Sequence, residues 1–196
     1  MSAKKWLFLH QNMHHYITPA LLADLFSGEA VDPARVSITE PVSVDAGIEV
    51  IGIPFGLVRF VVFFADLLAY AGGDPEWVQE TADEWAGGFR PDPDARLVKF
   101  MRAEADADTM FDPQHWPLPD ARMIWQFCDV LARALVIHAV ELPTVRQYFY
   151  MPQSGQLDLL YNRLARRFAS GLYSLRFRCV TQPNRDTGGF YGFERT

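Results

Sequence analysis

His10 and His14, in the stretch HQNMHHYIT, stand four residues apart with His15 beside the second. On a helix this spacing puts two imidazoles on one face, as in hydrolases whose zinc is held by H-E-x-x-H. Here Gln11 follows His10, and an amide cannot act as the general base those enzymes need. No third ligand stands at a characteristic spacing, and Trp6 to Leu9 reads as well as a strand as it does as a helix. In a strand, residues four apart lie about 13 Å from each other, too far for one metal. A metal-dependent hydrolase built on His10 and His14 is therefore the last of three functional readings, and no cofactor is expected.

The second chemistry-bearing region is YNRLARRFASGLYSLRFRC. At helical spacing Leu157, Leu160, Tyr161, Leu164 and Phe168 share an arc, and Arg163, Arg166 and Arg167 lie opposite. In the strand that follows, Arg176 and Arg178 alternate with Leu175, Phe177 and Cys179. With Tyr191 from the final strand, that arginine-bearing sheet face has the make-up of a stacking platform for RNA or single-stranded DNA. Arginine without lysine favours planar, bidentate partners, which are carboxylates as well as phosphates.

Carboxylates are abundant upstream. Residues 1–120 hold 8 Lys and Arg against 19 Asp and Glu, a balance of −11, whereas residues 121–196 hold 10 Arg, no Lys and 5 acidic residues, a balance of +5. The expectation is that the acidic front covers Arg176 and Arg178 and leaves surplus anionic surface for outside contacts. Glu76, Glu80, Asp83 and Glu84 gather on one side of a helix in DPEWVQETADEWAGG and would draw in a basic partner.

Other acidic and nucleophilic patterns lack required elements. Counting an EF-hand from Glu104 in EADADTMFD places Thr109 and His115 where glycine and glutamate are needed. Ser154-Gly155 lacks the G-x-S-x-G frame. No catalytic residue is assigned. The leading function is a non-enzymatic interaction protein of inhibitor, toxin-neutralising or adaptor type, with another protein as partner. The nucleic-acid binder comes second.

The elements that must position these groups follow from punctuation and period. Thr18-Pro19 caps and opens a helix over TPALLADLF. ARVSITEPVSV, split by Pro41, reads as an edge strand or two pieces, and AGIEVIGI reads as a strand. PFGLVRFVVFFADLLAYAGG is apolar enough to raise a membrane span, but Arg59 and Asp66 interrupt it and only about seventeen residues separate Pro54 from Gly72. It reads as a helix buried on nearly all sides in a protein without a membrane segment. A short helix is expected from about Asp94, after a proline-rich lead.

DPQHWPLPD is the most linker-like stretch, and a long helix follows it over DARMIWQFCDVLARALVIHAVE. His138 on that helix is expected to be a hydrogen-bonded core histidine. RQYFYMP, SGQLDLLYNRLARRFAS, YSLRFRCVT and FYGFER then read as strand, helix, strand and strand, with Ser154 as the helix cap.

The fold class expected is α+β, with an acidic, mostly helical part over 1–118 around the 54–72 helix and an Arg-rich part over 119–196 made of the long helix plus a β-α-β-β unit, the two docked as one compact domain. The two cysteines are too few for a disulfide framework, and the apolar run near the N-terminus stops after four residues, short of a secretory segment. A cytoplasmic protein of bacterial or phage style is the expectation.

Overall fold

The structure is a computed structural model that describes residues 13–27, 36–83, 91–110, 112, 114–118, 120, 122–152, 154–183 and 190–196, without the side chains of 77 and 81–83. Its frame is a seven-stranded mixed sheet. β1 (Val42–Asp45), β2 (Ile48–Phe55), β3 (Val58–Asp66), β4 (Arg96–Arg102), β5 (Gln147–Tyr150), β6 (Phe177–Thr181) and β7 (Tyr191–Arg195) are ordered β1-β2-β3-β4-β5-β7-β6. All neighbours are antiparallel except β4 and β5. The helices are α1 (Pro19–Phe26), α2 (Leu67–Tyr70), α3 (Pro75–Asp83), α4 (Met123–Glu141) and α5 (Gly155–Ala169).

This corrects the expected fold class. Helix makes up only 34% of the protein, and the first part is a sheet, not a helical bundle. The 54–72 helix does not exist. Its residues form the end of β2, a two-residue turn at Gly56-Leu57, all of β3 and the single turn of α2. Gly56 takes φ +62°, the left-handed value that a tight hairpin needs at its first loop position.

The physical reason for the misreading is that β3 is buried on both faces along nearly its whole length. Such strands lose the apolar–polar alternation of a half-exposed strand and look like a buried helix. β4 misleads in the same way. Leu97, Val98 and Met101 are all buried, so the helix expected from Asp94 is instead a turn at 92–95 leading into a strand. The C-terminal strands are not a separate unit, because β4 pairs with β5 and the sheet runs on through β7 and β6.

Two apolar layers sandwich the sheet. On one face α4 and α5 cover Ile51, Ile53, Phe60, Val62, Phe64, Val98, Tyr148 and Phe193. Phe127 of α4 meets the rings of Phe60, Phe100 and Phe55 at 4.5, 5.1 and 5.7 Å. On the other face Met13, Leu25, Tyr70 and Met110 pack on Val50, Val61, Phe63, Leu97 and Phe149.

The local signals for the flanking helices hold. Thr18 accepts from the Leu21 N–H at 3.1 Å, and Ser154 from the Leu157 N–H at 3.3 Å. Arg195 closes the far end of α4 by donating to the Ala139 carbonyl at 2.7 Å and to that of Pro143. By length and composition alone α4 could cross a membrane, but half of its most apolar stretch is buried in the fold.

Candidate ligand cleft

β4 is seven residues long, yet β5 pairs with only its first two, Arg96 and Leu97. Beyond that point the two parallel strands part. Ala103 donates its N–H to the Arg59 carbonyl at 2.9 Å. By antiparallel alternation, Leu97, Lys99 and Met101 then direct their backbone groups to β3, and Val98, Phe100 and Arg102 direct theirs toward the β5 side. The Arg102 carbonyl is taken by the Ala105 N–H at 3.1 Å. The Phe100 N–H and C=O and the Arg102 N–H are left without a strand partner among the described residues.

A cleft of about 740 Å³ opens along this edge. Phe60, Phe100, Ile124, Phe127, Leu157, Leu160 and Tyr161 make its walls largely apolar, and Trp116 and Trp125 stand among the lining residues. Its size and mixed lining are those of a small-molecule site.

Its basic lining residues are Lys99, Arg102 and Arg163, and its one carboxylate is Asp112. Burial pushes the Lys99 ammonium down to about 7, and its Nζ lies 6.0 Å from the centre of the Tyr70 ring. The Arg102 guanidinium sits 5.4 Å from the Phe60 ring centre and 5.7 Å from that of Trp116. Arg163 stacks on Trp125 at 3.2 Å, joining α5 to α4 at the cleft.

A second polar group lies where β2, β4, β5 and α4 meet. Arg96 donates to both Glu49 oxygens, from Nε at 2.9 Å and from Nη2 at 3.2 Å. His138 Nε2 is 3.3 Å from Glu49 Oε2, and its Nδ1 is 3.0 Å from the Tyr148 hydroxyl. The His138 ring stacks on Phe64 at 3.9 Å.

Burial lowers the His138 pKa despite the pull of Glu49, so the ring is neutral. Its Nε2–H then donates to the carboxylate and its Nδ1 accepts the Tyr148 O–H. For Glu49 itself burial opposes the charge, but hydrogen bonds from His138 and Arg96 and the Arg96 charge outweigh it and hold the carboxyl below its ordinary value. Burial raises the Tyr148 phenol. With these partners satisfied, the cluster fastens α4 to three strands. His138 is the hydrogen-bonded core residue that its sequence position suggested.

The residues singled out in the sequence fare differently. Arg176 is exposed ahead of β6, and its carbonyl accepts the Thr196 N–H. Arg178 pairs with Glu194, its cross-strand neighbour on β7. Tyr191 is buried on the other face, under α5, where its hydroxyl donates to Asp158 at 2.8 Å. The three therefore do not form one stacking surface, because Tyr191 shares the inward face of β7 with Phe193.

Among the described residues no carboxylate of the first 120 positions pairs with Arg176 or Arg178 either. Among the described residues Arg59, Arg96 and Arg102 pair with carboxylates of the first 120 positions, and Arg167 and Arg178 with Asp129 and Glu194. Glu49 reaches the other half through the neutral His138, by a hydrogen bond and not an ion pair. Glu76 and Glu80 are exposed on α3, where Asp74 accepts the Glu76 N–H at 3.0 Å. The Asp83 side chain and all of Glu84 lie outside the described residues, as does His10. His14 is half-buried, and no group of three potential ligands among the described residues could hold a metal.

Sequence reading missed the cleft. Its one local trace is RLVKFMR, a strand-length apolar run interrupted by Lys99 and flanked by Arg96 and Arg102. No family model matches the chain, and neither a curated protein nor a solved structure matches it.

Proposed function

We propose that the protein binds an elongated amphiphilic small molecule in the cleft between β4 and β5. The observation that carries this reading is the early parting of the two strands, which leaves backbone donors and an acceptor of Phe100 and Arg102 along an apolar cavity. A ligand with an amide in an extended chain would complete that edge as an added strand does. Its apolar portion would pack on Phe100, Phe127 and Leu160.

N-decanoylglycine at submicellar concentration is a suitable probe, having a chain, an amide and a carboxylate. Titration calorimetry should give saturable 1:1 binding. Gln156→Trp, at an exposed position that lines the cleft, should weaken it by obstructing the space. Absence of saturable binding to the folded protein would defeat the proposal.

A second reading is a protein-interaction role for the acidic face of α3. It is supported by the exposure of Glu76 and Glu80 and by the −11 balance of the first 120 residues. A basic partner would be steered to that face. Glu76→Lys with Glu80→Lys should then abolish capture of a partner that the unaltered protein retains. Capture by both proteins would reject this role.

A further inference from the structure

Arg102 Nε, Trp116 Nε1 and Arg163 Nε are all inaccessible to solvent, and none has a hydrogen-bond partner among the described residues. All three side chains line the same cleft. A buried donor that has lost water and gained nothing is rare in native proteins and points to a missing acceptor. Glu104 does not fill that role. Its Oε2 comes only within 3.5 Å of Arg102 Nε without forming a hydrogen bond, while its Oε1 accepts from Arg59 Nε at 3.0 Å. Two of the donors belong to guanidiniums, whose planar forks suit oxyanions.

We infer that the cleft contains an oxyanion subsite in which Arg102 and Trp116 hold a carboxylate or phosphate on the ligand, with Arg163 supplying a second guanidinium from α5. The inference rests on the cleft being the ligand site and specifies the chemistry of the ligand's polar end. Stacking on Phe60 and Trp116 fixes the Arg102 plane before the ligand arrives, and the Arg163–Trp125 stack does the same on the helix side. The lining holds two full cations, Arg102 and Arg163, and the partly charged Lys99 against Asp112, with Glu104 3.5 Å from Arg102 Nε, a balance that still favours an anionic group.

Three probes separate the parts of this argument: N-decanoylglycine, decyl phosphate and the neutral N-decanoylglycinamide, each titrated by calorimetry. At least one anionic probe should bind about tenfold or more tighter than the neutral one, and the tighter of the two names the oxyanion. Arg102→Gln should remove most of that advantage and Trp116→Phe part of it, read in each variant as the ratio of anionic to neutral affinity. Retained saturable binding of the neutral probe shows that the cleft is still formed in each variant.

Equal binding of all three probes, or an anion preference that survives Arg102→Gln and Trp116→Phe, overturns the subsite while the cleft reading stands. Absence of binding by every probe overturns both.

Discussion

Replacing Glu49 by glutamine keeps the shape of the side chain and removes its charge. Glu49 and Arg96 are only 6% and 8% exposed, and the guanidinium makes two hydrogen bonds to the carboxylate. In Glu49→Gln the Arg96 cation stays out of water facing a neutral amide. Breaking a buried pair by removing one partner costs about 3–5 kcal/mol, which for a chain of this size is a fall of roughly 10 °C in Tm.

The paired replacement Glu49→Leu with Arg96→Met removes both charges. Only the His138 Nε2–H then lacks an acceptor, at about 1–3 kcal/mol, so the double variant should be more stable than Glu49→Gln. Urea unfolding at pH 7.5, followed by far-UV circular dichroism with m-values compared across variants, measures both. If Glu49→Gln costs less than about 1 kcal/mol, or the double variant is the less stable of the two, an uncompensated buried charge is not what governs this cluster.

Two further outcomes follow from geometry already given. The lowered His138 pKa means that the unfolded chain takes up a proton that the folded one resists. The contribution of the neutral ring is complete above about pH 6.5 and is lost as pH falls below it, with a slope of at most about 1.4 kcal/mol per pH unit. The depressed Glu49 carboxyl adds a loss in the same direction below about pH 4.5. His138→Gln should flatten the dependence of stability on pH between 6.5 and 5.5, and identical slopes for the two proteins would refute this.

Gly47 has φ +72°, and a Cβ there would fall 1.7 Å from Asp66 Oδ2, the side chain that caps α2 through the Ala69 N–H. Gly47→Ala should cost about 2–3 kcal/mol by combining backbone strain with a disturbed cap. Gly73→Ala, at φ +82° with open space around it, should cost only the backbone part. Equal costs measured by denaturation would show that the cap is not involved.

What could be read from the sequence divides along the range of the signal. Thr18 and Ser154 act on amides three residues away, so their caps were legible, as was the inward stripe of α4 that contains Phe127, Val130 and Ala134. β2 was legible over AGIEVIGI, but β3 and β4 were not. Burial on both faces erased their period of two, and it did so in just the strands that form the middle of the sheet. For His138 the polar environment was foreseeable, but its partner Glu49 lies 89 positions away. The cleft needed still more. Phe60, Arg102, Trp116, Trp125 and Arg163 come from five separate stretches, and only strand order brings them together. The charge imbalance between the halves was real in the sequence, yet among the described residues most ion pairs formed within each half, between strand neighbours such as Arg178 and Glu194 or across an intervening strand, as from Glu49 on β2 over β3 to Arg96 on β4.

The two-residue contact between β4 and β5 also bears on how the chain assembles. The hairpins from β1 to β3 join neighbours in sequence, whereas the Leu97–Phe149 register closes only after the whole of α4 has been laid down. Late, long-range closure secured by so few backbone links makes this seam the expected slow step of folding, and native-state amide exchange should find it among the first to open. Any molecule lodged in the gap would knit the two flanks together, so protection at Tyr148 and Phe149 would report occupancy from a distance.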